Sequence, residues 1–258
     1  MSNNPPVIEL HQFPYSHYNE KARWALDYKG LPHRRIGYLP GPHAPAITKL
    51  SGATQTPVLR IGGTIVPGSA AIVEALETAH PAPALYPADP AQRKAALDLQ
   101  AHFDAEIGPC VRRALFSELV LAPGYIARVF STGKPLPARL FYRAVTPLAL
   151  GTIRRSMEID RPGAVEASYK TMQAALDLVA AQAGPTGYLV GDRFSIADLT
   201  AAALLAPACD APHVDMKLPS PRPPRIDAWL SRWAAHPGTA WVQGIYRKHR
   251  PARAEPAG

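Results

Sequence analysis

Residues 80–90 read HPAPALYPADP, and the hydrophobic pattern has a different period on either side of this proline-rich stretch. Before it, strand-like and helical runs alternate. After it, almost every segment repeats at helical spacing. A proline-rich connector between two such textures predicts two units: residues 1–80, a linker at 81–90, a helical unit over 91–250 and a tail at 251–258. A chain of 258 residues suits one large domain or two small ones sharing an interface.

The first unit gives an order of elements. VIELHQF predicts a strand, and residues 17–29 a helix with Tyr18, Ala22, Ala25 and Leu26 on its apolar face, stopped by Gly30 with Pro32 beyond. HRRIGY reads as a second strand. PVLRI and TIVP follow, joined by Gly62-Gly63, a dipeptide suited to a tight hairpin, and AAIVEALETA closes the unit as a helix opened by Ser69. A strand–helix–strand crossover gives parallel strands and a two-glycine hairpin gives antiparallel ones, so the expectation is a small mixed sheet in βαβ-ββα order, covered by helices.

In the second unit VEASYKTMQAALDLVAA is the strongest helix, with Val165, Tyr169, Met172, Leu176 and Val179 on one stripe. Leu99, Phe103 and Ile107 recur every four residues in an earlier helix, and Ile226, Trp229, Leu230 and Trp233 mark a later one. Over residues 122–162 prolines and glycines interrupt the pattern, with helical fragments expected only around 138–157, so this segment reads as an unusual insertion. The tail is expected to be disordered.

Lys and Arg number 28 against 20 Asp and Glu, and much of the excess lies between residues 110 and 161. There nine cations (Arg112, Arg113, Arg128, Lys134, Arg139, Arg143, Arg154, Arg155, Arg161) face only Glu118, Glu158 and Asp160. Such a stretch is either a solvated basic face or one that attracts an anionic ligand or membrane surface. No nucleic-acid-binding signature accompanies it, so no nucleic-acid partner is expected. The two cysteines, Cys110 and Cys209, lack metal-ligand spacing and a C-x-x-C, which argues for buried structural thiols and no metal. MSNNPPVIEL has no basic region followed by an apolar stretch, so no signal peptide is expected and a cytoplasmic location is.

Three junctions carry candidate chemistry. FPYSHYNE places Tyr15, Ser16, His17 and Tyr18 where the first strand ends and the first helix begins. Gln55-Thr56-Pro57 enters a strand: Pro57 is either an ordinary strand-start proline or part of a cis peptide that turns the Thr56 N–H and C=O outward, towards an extended peptide-like ligand. Gly68-Ser69 opens a helix, where Ser69 is a good N-cap and the free N–H groups fit a carboxylate. Together a strand edge and a helix start fit a short, doubly carboxylated peptide.

The opening junction, the T-P-V-L run, G-S-x-A-I before a helix and GDRFSIADLT resemble, in their order and spacing, the cytosolic glutathione S-transferase family. The resemblance covers nearly the whole chain except residues 122–162 and the tail. It implies a thioredoxin-like α/β N-terminal domain followed by an all-α C-terminal domain, a homodimer, and glutathione as co-substrate. Ser195-Ile196-Ala197-Asp198 resembles the family's buried capping box, a structural feature. Ser16 takes the catalytic place of the serine and cysteine classes, with Tyr15 and Tyr18 as alternative hydroxyls. Thr56 would pair through its backbone with the cysteinyl part of glutathione, with Gln55, Pro57, Gly68 and Tyr15 around it, and Ser69 would hold the γ-glutamyl carboxylate. His43 is either a ligand of the glycyl carboxylate or a solvent-facing loop residue. Tyr18, Arg112 and Arg113 are candidates for the wall of the second site.

The activity implied is ionisation of the glutathione thiol beside Ser16 and its attack on an apolar electrophile, as in detoxification. Glutathione-dependent peroxide reduction, isomerisation or dehalogenation is equally compatible with the site that the resemblance implies. Two departures matter: Gly68 stands where the family places Glu, Gln or Asp, and His17 where proline is frequent. The rival is a non-catalytic protein of this fold whose basic insertion binds a partner or a membrane surface.

Overall fold

The computed structural model of the chain describes residues 7–184 and 186–254. Four strands form one sheet in the order β2-β1-β3-β4, comprising β1 (Ile8–Gln12), β2 (Arg34–Gly37), β3 (Val58–Ile61) and β4 (Thr64–Pro67). β1 runs parallel to β2 and antiparallel to β3, with Leu10 opposite Leu59, and β3 and β4 form the hairpin read from Gly62-Gly63. Around the sheet lie α1 (His17–Tyr28), α2 (Ala44–Ser51) and α3 (Ser69–Ala79). This is the thioredoxin-like arrangement expected.

The second domain is entirely helical: α4 (Pro90–His102), α5 (Gly108–Leu119), α6 (Pro123–Ser131), α7 (Leu136–Ser156), α8 (Ala164–Gln182), α9 (Ile196–Leu205), α10 (Pro224–Ser231) and α11 (Pro237–His249). A π-helical turn, Phe103–Ile107, joins α4 to α5 and buries Phe103 and Ile107. α9 is buried at every position and forms the axis of the domain. Its start is fixed by the capping box: the Asp198 carboxylate accepts from Leu189 N at 2.8 Å, Ser195 N at 2.9 Å and Ser195 Oγ at 3.0 Å. Burial pushes that carboxyl up to about 6, against these bonds.

Residues 122–162 correct the expectation of a broken segment. They hold two defined helices, and α7 runs 21 residues without a break despite Pro147. Proline removes one intrahelical bond, to the Arg143 carbonyl. Both residues are exposed, so this interruption lies on the solvent side of the helix. The buried side of α7 rests on the first domain: Tyr142 Oη donates to Pro40 O at 3.0 Å, and Lys134 Nζ to Gly37 O at the outer edge of β2. An otherwise open sheet edge is thereby partly covered.

The tail is also more ordered than expected over residues 251–254. Ala254 N donates to Asp27 Oδ1 at 2.9 Å, and Arg253 reaches His33 O. The rest of the expected disorder, at 255–258, falls outside the described residues. Cys209 is buried, and burial pushes its thiol up to about 12, whereas Cys110 is only half-buried, contrary to expectation.

α1 holds the two domains together. One side lies against the sheet and α3, the other against α9 and the C-terminal segment, so Asn19, Glu20, Lys21, Arg23 and Asp27 are buried along with its apolar residues. Three carboxylates (Glu20, Asp27, Asp215) are matched by three arginines (Arg23, Arg35, Arg250). Arg250 alone reaches Glu20 at 2.7 Å, Asp27 at 2.8 Å and Asp215 at 3.0 Å. Glu20, His213 and Asp215 converge closely enough to resemble a metal-ligand set, but arginine charges already neutralise their carboxylates. Burial raises the Glu20 carboxyl, and the charges of Arg250 and Arg23 more than reverse this, leaving it at about 2.

Arg250→Met strands Glu20 and Asp27 beside fewer cations and is expected to lower unfolding free energy by about 3 kcal/mol at neutral pH, read by denaturant titration. A folded-state pKa below the ordinary carboxylate value stabilises above that value, and the benefit disappears as pH falls through the folded pKa. The difference between wild type and Arg250→Met should therefore be full above about pH 5 and shrink towards pH 2. Asp198 acts with the opposite sign between about pH 4 and 6 in both proteins and cancels in that difference.

Candidate functional site

The turn from β1 into α1 passes through Phe13, Pro14 and Tyr15, and Tyr15 adopts φ +56°, a left-handed conformation uncommon for a non-glycine residue. This turn sets Ser16 as the N-cap of α1 with extended backbone (φ −90°, ψ 124°). An N-cap serine ordinarily uses its hydroxyl on the helix's free N–H groups. Ser16 does not: its side chain makes no capping bond, and its Oγ accepts from Asn19 Nδ2 at 2.7 Å. Accepting that bond leaves the Ser16 O–H as a donor.

The same Asn19 amide nitrogen also donates to Thr56 Oγ1 at 3.2 Å, tying the start of α1 to the start of β3. Asn19 is fully buried, and its Oδ1 has no partner within the chain. The Thr56–Pro57 peptide is cis. Among the described residues the Thr56 main chain makes no hydrogen bond, while Pro57 O accepts from Gly68 N at 2.9 Å. Gln55 is exposed beside it.

The Pro57–Gly68 bond brings the α3 start alongside. Gly68, not Ser69, is the N-cap, at φ +91° and ψ 141°, and Ser69 is the first helical residue and is buried. That backbone conformation accounts for glycine at 68, and the space a side chain would enter is open. Ser16, Thr56, Gly68 and Ser69 thus gather at the junction of three elements, with the start of α3 offering unpaired N–H groups.

The other candidates are more tightly engaged. His43 accepts from Gly41 N at 3.1 Å through Nδ1, so Nε2 carries the hydrogen and donates to Thr54 O at 2.8 Å. Its ring meets Phe13 edge-on at 4.6 Å, so it braces the loop before α2. Tyr18 Oη donates to Asp104 O at 2.6 Å, and burial pushes the phenol up to about 12, which leaves this hydroxyl committed to the domain boundary. Arg113 corrects an expectation: it is held by Met157 O at 3.0 Å, Ser168 Oγ at 2.9 Å and Glu158, bracing α5 against the α7–α8 connection. Arg112 instead faces the α1 start, where it acts on His17 and Tyr18. Burial, then the Arg112 charge, hold the His17 imidazole down at about 3, so it is neutral at pH 7.

Sequence reasoning missed Asn19. The available signal was its place three residues after Ser16, one helical turn on, where a short amide can reach back to the N-cap side chain.

The glutathione S-transferase N-terminal domain model matches residues 10–84, and the corresponding C-terminal domain model matches residues 162–232. Together they span more than half of the chain, which belongs to the glutathione S-transferase family. No curated protein matches the sequence. Among solved structures it is similar to a glutathione S-transferase from Rhodospirillum rubrum F11 (TM-score 0.62, 19% identity, covering 94% of this chain and 89% of that one). It is also similar to the beta-etherase LigF from Sphingobium sp. strain SYK-6 (0.62, 20%, 92% and 98%). A third is the theta class glutathione S-transferase from Xanthomonas axonopodis pv. citri with glutathione bound (0.51, 21%, 96% and 99%). At these identities the structural likeness carries the fold alone.

Tyr18 also makes a packing prediction. A Cβ at Gly108 would lie 2.4 Å from Tyr18 Oη and 2.7 Å from Cζ, so Gly108→Ala should cost about 1–3 kcal/mol of stability in denaturant titration. Tyr18→Phe should cost about 1 kcal/mol. The double variant should lose less than the sum, because the nearer of the two clashing atoms has gone.

Proposed function

We propose that this protein binds glutathione across the β1–α1, Thr56–Pro57 and Gly68–Ser69 junctions and activates its thiol through Ser16. The observation that carries the reading is the Ser16 hydroxyl, which is withheld from helix capping and oriented by Asn19 at 2.7 Å. The unpaired Thr56 main chain supports antiparallel pairing with the cysteinyl residue, and the α3 start supports a carboxylate. A thiolate at the α1 N-terminus is favoured by the Ser16 O–H and by the positive end of the helix. The thiol proton passes to solvent. The sulfur then attacks an electrophilic carbon and the leaving group departs with the bonding electrons.

Half-buried Tyr15 and Arg112 stand beside this position, and an apolar electrophile would lie between the α1 start and α5. Serine forms no mixed disulfide, which favours conjugation over glutaredoxin-like reduction. A homodimer belongs to the same reading: α3 and α4 border a cleft of about 600 Å³ lined by Ala70, Glu74, Tyr86, Arg93 and Leu97. The rival, a non-catalytic protein of this fold, draws on Gly68, whose missing acidic side chain removes one contact to the glutathione ammonium group.

Retention on glutathione-agarose and turnover of an aryl halide test the proposal. Ser16→Ala should reduce turnover by about 10- to 1,000-fold and shift its pH midpoint upward, because the thiolate loses a hydrogen bond. Asn19→Ala should produce a smaller change in the same direction, as expected of a positioning residue. Calorimetry should show a weaker glutathione affinity for Ser69→Ala and a smaller effect for His43→Ala, whose ring nitrogens serve the loop. Absence of retention, or an unchanged pH midpoint in Ser16→Ala, overturns the reading.

A further inference from the structure

α7 is buried on one side only, through Tyr142 and Thr146. A helix so placed ordinarily presents polar residues to water. The outward side of α7 is instead apolar: Leu136 is 63% exposed, Leu140 59%, Phe141 58% and Leu148 86%. Leu136, Leu140, Ala144 and Leu148 follow one another at four-residue spacing, a continuous stripe along one face of the helix. Four such large apolar side chains on one helix far exceed scattered surface hydrophobics and mark an interaction site.

Charge identifies the partner. Arg139 and Arg143, four residues apart, run along the border of the stripe, are exposed, and form no ion pair among the described residues. α7 carries four arginines and neither Asp nor Glu. Pairing this face with its copy across a two-fold axis would set the same free arginines against each other. An anionic lipid surface accepts both parts of the pattern, headgroups on the guanidinium groups and acyl chains on the leucines. Among the described residues no helix is long and apolar enough to cross a membrane, so α7 would lie in the plane of the interface.

We propose that the outward face of α7 docks the protein onto anionic lipid bilayers. Because α7 and the turn before it reach the β2 edge and the loop after it, docking would hold the thioredoxin-like domain next to the bilayer. An apolar, membrane-dissolved electrophile would then be within reach. The docking itself stands independently of the catalytic reading.

The test is co-sedimentation of the full chain with phosphatidylcholine vesicles, with and without phosphatidylglycerol, at low and high salt. Wild type is expected to partition onto the anionic vesicles and to weaken as salt rises. L140S/F141S/L148S changes only exposed side chains, should stay folded by circular dichroism, and should lower the partition coefficient by at least about tenfold. R139Q/R143Q should lower it several-fold and remove most of the salt dependence. Failure of wild type to sediment with anionic vesicles overturns the proposal, as does undiminished binding by the triple serine variant. If the serine variant instead halves the mass seen by light scattering while wild type ignores vesicles, the face joins two copies and the lipid proposal is wrong.

Discussion

The architecture depends on the buried charge cluster beside α1. Glu20, Asp27 and Asp215 come from the first helix and a distant loop, and Arg23, Arg35 and Arg250 come from α1, β2 and the residue after α11. Ions taken out of water are costly unless each is matched, and removing one member leaves a charge stranded. The cluster forms only when the C-terminal segment, the loop around residue 215 and α1 have all met. It therefore favours one docking of the helical domain on the thioredoxin-like domain over alternatives that apolar packing would also accept.

That docking also shapes the candidate site. With α1 held from both sides, its first turn has a fixed direction, and Asn19, fully buried, is left to bridge Ser16 and Thr56. Trp24 adds to the same anchoring, donating to His249 O at 3.0 Å and packing on Phe194 and Tyr246. Lys21, buried against Asp104 of the π-helical turn, ties α1 to the α4–α5 connection. The candidate site thus lies at the start of a helix that both domains help to bury.

Much of the fold is legible in the sequence. The hairpin at Gly62-Gly63, the α1 stop at Gly30 and the S-x-x-D capping box are local, and backbone geometry dictates them wherever the chain goes. Residues 122–162 were not legible, because Pro147 disrupts a pattern without necessarily ending a helix, and its position on the exposed side made it tolerable. At the candidate site, the sequence put Ser16, Thr56 and Ser69 at the starts of α1, β3 and α3, because those boundaries are local. It also put Tyr18 and Arg113 among the binding residues, although tertiary packing had claimed both.

By itself the sequence determined the succession of elements outside residues 122–162, the change from an α/β unit to a helical one and the basic character of the insertion, since periodicity, turn chemistry and charge are written residue by residue. Only the tertiary structure decided which polar residues of α1 are buried, that Asn19 rather than a helix cap takes the Ser16 hydroxyl, and that α7 faces outward with its leucines. Those outcomes rest on contacts between segments up to 230 residues apart, such as Glu20 with Arg250, and no local pattern encodes the partner a side chain will meet.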